Sequence, residues 1–307
     1  MWDGRRAKMQ QEIARAVCTY AQEKIPRALA LSKRRRIPSR PYSRTVSRVS
    51  IMSLQLEICD NIAFLRFARP DAANTIDLHF GRAFLAAAMA IGATPGVRAI
   101  LMTGQGNHFC LGGDLKEMVA SGSDVQSYLT ELTTNLHTGM ALLSRLDAPV
   151  IAAVNGTAAG AGLGLVLMAD LAIAARNAKF VSAYTGVALT PDAGCTFFLP
   201  RIIGYKRAME LFLTNRILDA DQAFAWGIVN NVVEDKNLMD TANALAATIA
   251  AGPVNAFGAV KRLMAESEPG LEAQFCRESG SIAGRAATSE GREGIAAFLE
   301  KRVPRYR

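Results

Sequence analysis

Apolar and polar positions alternate along LQLEICDNIAFLRF (Leu54–Phe67) on either side of Asp60-Asn61, which predicts two strands joined by a tight turn. The period then changes. Leu78, Phe80, Ala83, Phe84, Ala87 and Ala88 fall near helical spacing, with Asp77 as a plausible N-cap. RAILMTG (Arg98–Gly104) reads as a short buried strand. Asp124 to Leu146 reads as a helix carrying Leu129, Leu132, Leu136, Met140 and Leu143 at spacings of three and four. A buried strand follows at Ala148–Gly156, then a helix near Leu163–Ala169 and a strand at Leu171–Ala175. Strand and helix alternate, which indicates α/β layering. After about Asp240 strand signals stop, and helices are expected over Thr241–Ile249, Asn255–Ala265 and Leu271–Leu299.

Ala148 to Ala169 contains no charge, and Gly156, Gly160 and Gly164 form overlapping GxxxG patterns. Pro149, Asn155-Gly156 and the glycines divide it into strand, turn and helix, and acids rather than basic anchors flank it, so no membrane span is expected. Half of the 307 residues are apolar and 20% are charged, enough to build a core. The net charge of +8 is unevenly placed: residues 1–51 hold 13 Lys/Arg against 3 Asp/Glu, and residues 52–307 hold 22 against 24. The body therefore gives no electrostatic case for nucleic acid. Residues 33–48 are rich in Arg, Ser and Pro without an acid, and are expected to be disordered. They read as a transit peptide, as a tail for nucleic acid or anionic membrane, or as a segment upstream of a natural start at Met52; the last is preferred. Localisation is accordingly expected to be cytoplasmic, or mitochondrial if the segment is a transit peptide. Five scattered cysteines and three scattered histidines argue against a zinc site or a disulfide scaffold.

Two glycine-rich turns carry candidate chemistry. Asn107–Leu115 follows the Arg98–Gly104 strand, and Asn155–Gly162 follows the Ala148–Val154 strand. Small residues let another group approach bare backbone N–H donors, and two such donors on one point make an oxyanion hole; each turn alone reads equally as an ordinary tight turn. A dinucleotide site is disfavoured, because Leu165 stands where GxGxxG needs its third glycine.

FCLGGDL (Phe109–Leu115), NGTAAGAG (Asn155–Gly162), TPDAG (Thr190–Gly194) and AFLEKR (Ala297–Arg302), in order over residues 54–304, resemble the enoyl-CoA hydratase/isomerase (crotonase) superfamily. Residues 155–201 are most similar to its 1,2-epoxyphenylacetyl-CoA isomerase and enoyl-CoA isomerase branch. The resemblance implies an α/β fold, a spiral of ββα repeats over residues 52–248, followed by a helical trimerisation region over 249–307, in trimers commonly stacked as hexamers. It implies an acyl-CoA thioester as substrate and no further cofactor, since coenzyme A belongs to the substrate. By position it assigns the two thioester-polarising amides to Gly113 and Ala161. It places the CoA adenine and phosphates near Arg69, Ala72, Asp114 and Leu115, with Phe298 and Lys301 of a neighbouring subunit.

The sequence departs from the hydratase pattern of two glutamates. Gly164 stands where the first belongs and Tyr184 where the second belongs; Tyr184 is expected to line the acyl pocket. The remaining acid is Asp192. In Pro191-Asp192-Ala193-Gly194 it reads either as an N-cap or as the acid/base group that the isomerase branch carries in this turn, set among apolar neighbours. A lone carboxylate suits migration of a double bond through an enolate. A hydratase with an atypical acid, a thioester hydrolase and a non-catalytic acyl-CoA- or RNA-binding homologue are the alternatives.

Overall fold

The structure is a computed structural model, which describes residues 47–51, 53–267 and 270–306. Residues 1–46, most of the basic extension, lie outside the described residues.

The predicted hairpin is β2 (Leu54–Cys59) and β3 (Ile62–Phe67), paired antiparallel. Its turn residues, Asp60 and Asn61, both have positive φ, the conformation a two-residue hairpin needs and one that Asp and Asn tolerate. Contrary to expectation, the extension contributes a strand: β1 (Ser47–Ile51) pairs antiparallel with β2.

β3 then pairs parallel with β4 (Ala99–Gly104), and the sheet continues through β6 (Val150–Val154), β8 (Leu171–Ala175) and β11 (Asn231–Val233). After β4, β6 and β8 the chain makes a tight turn and enters a second sheet. That sheet holds β5 (His108–Cys110), β7 (Thr157–Ala159), β9 (Lys179–Val181) and β10 (Leu218–Asp219), in the order β10-β9-β7-β5. Helices follow: α1 (Leu78–Ala93) precedes β4; α2 (Leu115–Ala120) and α3 (Val125–Arg145) follow β5; α4 (Ala161–Leu167) follows β7; α5 (Cys195–Ile203) and α6 (Tyr205–Thr214) follow β9; α7 (Ala220–Ala225) precedes β11. Strand, strand, helix is the repeating unit, as the resemblance implied. β7 was missed because Thr157–Ala159 is too short and uniform to show a period.

The central strands are buried on both faces, which is why they read as unbroken apolar runs. Ile100, Met102, Val150, Ala152 and Val154 face one core with α1, α3 and α4. Their alternates, Leu101, Ile151, Ala153 and Ile173, face a second core closed by Leu238, Ala242, Ala246 and Ala250. Those four recur every fourth residue on α8 (Leu238–Ala250) and make one stripe. The expected boundary at 248/249 therefore falls inside a helix that covers the sheet.

Helix α9 (Val254–Ala265) docks on the turns before β6 and β8, through Arg262–Asp147 at 2.5 Å and Lys261–Asp170 at 2.8 Å. A Cβ at Gly258 would collide with the Asp147 carboxylate, so only glycine permits that approach. The single long helix expected over Leu271–Leu299 is two, α10 (Leu271–Ala286) and α11 (Ser289–Leu299). Thr288 separates them by accepting the Gly291 N–H on its hydroxyl, a local cap that outweighs continued periodicity. Buried Glu290 receives the Asn255 and Ala256 N–H groups and ties α11 to the start of α9. Among the described residues no single helix is long and apolar enough to cross a membrane.

Candidate active site

The two glycine-rich turns lie against each other. A Cβ at Gly112 would stand 2.8 Å from the Ala159 carbonyl oxygen and 3.2 Å from the Ala161 nitrogen. Gly112 also has φ +82°, which an alanine would take only under strain. Ile76 holds the first turn from both sides: its N–H donates to the Gly112 carbonyl at 2.8 Å, and its carbonyl accepts the Asp114 N–H at 2.9 Å. Between these bonds the Gly113 N–H is directed away from Ile76. Ala161 is the first residue of α4, where an N–H has no partner within the helix. Among the described residues neither N–H donates to a protein acceptor. Asn155 locks the two turns in register, accepting the Gly104 N–H at 3.0 Å and donating to the Gly106 carbonyl at 2.8 Å. Buried Asn74 donates to the carbonyls of Gln105 and His108.

Arg69 and Asp114, expected near CoA, are bonded to each other's surroundings. The Arg69 guanidinium meets Asp77 at 2.6 Å and the Thr75 carbonyl at 2.9 Å, and lies 3.7 Å from Asp114. The Asp114 carboxylate accepts the Lys116 and Glu117 N–H groups as the N-cap of α2, and the Thr75 hydroxyl at 2.9 Å. These side chains brace the Gly113 turn. Ala72, in the short turn Pro70–Ala72, offers its carbonyl to Thr75. Leu115, at the start of α2, is exposed. Phe298 and Lys301 sit at the close of α11, outside the two turns.

The second turn leads to the acid. The Tyr184 ring lies 3.7 Å from where a Gly160 Cβ would stand, and its hydroxyl donates to Asp192 Oδ1. Asp192 caps no helix: the N-cap of α5 is Gly194, and the Asp192 side chain accepts no helical N–H. Nor is the acid sealed among apolar groups, since its side chain is 32% exposed and faces Tyr184 and His137. His137, on α3, was not anticipated. Its Nε2 accepts the Ala193 N–H at 3.2 Å and lies 3.9 Å from Asp192 Oδ2. While it accepts the Ala193 N–H, Nε2 offers Asp192 no donor. No local pattern marks His137, because its partners lie over fifty residues downstream.

Three alanines with positive φ, Ala183, Ala188 and Ala193, shape the chain around Tyr184 and Asp192. Each costs about 1 kcal/mol relative to a right-handed conformation. Gly164 abuts this loop: a Cβ there would stand 2.4 Å from the Ala193 carbonyl oxygen and 2.6 Å from the Ala193 Cβ. The absence of a carboxylate at 164 thus has a steric cause in the turn that presents Asp192.

Burial pushes the Tyr184 phenol far above its ordinary range, with Cys195 and Asp192 adding to the rise. Burial likewise pushes the Cys110 and Cys195 thiols up to about 12 each. These cysteines are neutral packing groups rather than nucleophiles.

The family model described as Enoyl-CoA hydratase/isomerase matches residues 57–307. The chain is 40% identical over 221 residues to 1,2-epoxyphenylacetyl-CoA isomerase of Escherichia coli strain K12, covering 68% of this chain and 81% of that protein. It is 34% identical over 252 residues to 4-chlorobenzoyl coenzyme A dehalogenase-2 of an Arthrobacter species, covering 81% and 91%. Among solved structures, an enoyl-CoA hydratase from Polaromonas sp. JS666 superposes with a TM-score of 0.79 at 32% identity, covering 83% of this chain and 99% of that one.

Proposed function

Because the chain belongs to the enoyl-CoA hydratase/isomerase family, whose members take acyl-CoA substrates, we propose that it is an acyl-CoA isomerase that moves a double bond in an unsaturated or ring-derived acyl group. The observation that carries this reading is the solitary carboxylate. Asp192 is presented beside the Gly160–Ala161 turn with no second acid at Gly164 or Tyr184 to manage a water. In this reading the thioester oxygen accepts the Gly113 and Ala161 N–H groups. Asp192 takes a proton from a carbon next to the conjugated system, and the electron pair passes to the oxygen. After exchange with solvent, Asp192 returns a proton to another carbon of the dienolate. The negative charge grows on oxygen in the transition state, where one preorganised donor contributes about 3 kcal/mol.

We place the CoA nucleotide along the turn from Arg69 to Leu115. Since the Arg69 and Asp114 side chains are engaged internally, backbone groups and Leu115 supply its contacts there, completed by Phe298 and Lys301 of a neighbouring subunit in a trimer or hexamer. The test is a panel of 2-enoyl, 3-enoyl and epoxyphenylacetyl CoA thioesters in deuterated water, with products identified. Double-bond migration with deuterium at the α- or γ-carbon supports the reading. Rapid hydration without migration, or release of free CoA, refutes it.

The His137–Asp192 pair and the dehalogenase relative favour one second reading. Here the carboxylate attacks a halogen-bearing ring carbon and expels halide, and water then hydrolyses the aryl ester, one of its hydrogens passing to the product hydroxyl and the other leaving the freed carboxyl for solvent. Halide release from 4-chlorobenzoyl-CoA distinguishes it from isomerisation.

A further inference from the structure

The two oxygens of Asp192 are not equivalent. Oδ1 receives the Tyr184 hydroxyl. Oδ2 faces His137 Nε2 at 3.9 Å, but that nitrogen's lone pair is taken by the Ala193 N–H, so no protein group donates to Oδ2 among the described residues. Tyr184 is itself fixed: its ring packs against the core beside Gly160, and the left-handed Ala183 turns the chain to aim it. We propose that Tyr184 is a positioning residue which anchors Asp192 through Oδ1 and thereby assigns proton transfer to Oδ2.

This inference rests on the isomerase reading and gives Tyr184 a role beyond lining the pocket. During the shift Oδ2 gains a proton as the substrate C–H bond breaks, exchanges it with solvent, and gives one up as the new C–H bond forms. The Tyr184 hydroxyl keeps its own proton throughout. Burial supports that constancy by holding the phenol in its neutral, donating form. The donated bond stabilises the ionised carboxylate and fixes its plane. The other titratable groups facing Asp192 are His137, which accepts rather than donates, and Cys195, whose thiol stays protonated.

The test uses the full chain with 13Cγ-labelled aspartate, the Asp192 signal being assigned by its loss in Asp192→Asn. Tyr184→Phe keeps the ring against Gly160 and removes only the donor. The Asp192 13Cγ signal should move in the folded variant, because Oδ1 loses its donor. In enzyme assays kcat should fall about tenfold, with KM within about twofold. Fluorotyrosine at 184, a stronger donor of nearly the same shape, should move the signal the opposite way and remains informative if Tyr184→Phe fails to fold. An unmoved signal in the folded variants overturns the anchoring role, and an unchanged kcat overturns its use in catalysis. A wild-type protein that moves no double bond refutes the isomerase reading and the Oδ2 assignment with it; the carboxyl signals then decide the Tyr184–Asp192 bond independently of any reaction.

Discussion

Asp192→Asn exchanges one carboxylate oxygen for an amide of nearly equal size. Because Asp192 caps no helix, the exchange removes no helix cap, and the remaining carbonyl can still accept from Tyr184. Unfolding free energy should change by less than about 1 kcal/mol. Turnover should fall about a hundredfold or more, since the amide cannot take up a proton near neutrality. Steady-state rates, with acyl-CoA affinity followed separately, check both halves; an isomerisation rate equal to wild type would remove Asp192 from the mechanism. Residues such as Asp192, Gly113 and Ala161 were visible because short motifs surround them. His137 was not. It stands at one α3 position among core leucines, and only the fold brings it to Ala193.

At the scale of elements, α4 offers a clean way to delete one of the two proposed oxyanion donors. Ala161 is its first residue, the position where proline fits a helix without losing an internal bond. Ala161→Pro should lower kcat by about a hundredfold while shifting the melting temperature by only a few degrees; a wild-type rate in the folded variant would dismiss that amide. Strand and helix order was legible wherever a period ran for five residues or more: β4, β6, β8, α1 and α3 lie within a residue or two of expectation. Three-residue strands such as β7 carry no period, and the α10–α11 break depends on one threonine hydroxyl. β1 escaped notice because its partner, β2, supplies the reason for its order. A chain beginning at Ser47 should therefore melt above one beginning at Met52, which leaves the β2 edge unpaired; equal melting temperatures would show that β1 contributes nothing.

At the scale of the whole molecule, α10 presents Leu271, Phe275 and Ile282 to solvent, and α11 presents Ile295 and Leu299. Apolar exposure of this extent on adjacent helices fits burial between subunits. Light scattering should give three or six chains per particle, and a monomer would remove the proposed shared CoA site. Stability should also respond to alkali. The folded chain holds the Cys110 and Cys195 protons up to about pH 12, whereas an unfolded thiol releases its proton near 9.0. The folded state then binds more protons, so this contribution is complete below pH 9 and is lost as pH rises toward 12. Urea midpoints should decline across that window, and less steeply in a Cys110→Ala, Cys195→Ala variant.

The contact between Gly164 and Ala193 bears on how such a site changes over generations. One small volume is contested by a side chain at 164 and by the loop that presents Asp192. On the single-acid reading, a glutamate at 164 cannot enter by one substitution without displacing that loop, and with it the carboxylate proposed to move the proton. In this chain a larger side chain at 164 and the present course of the loop exclude each other by volume, so a designer who wants a second carboxylate there must change both positions at once.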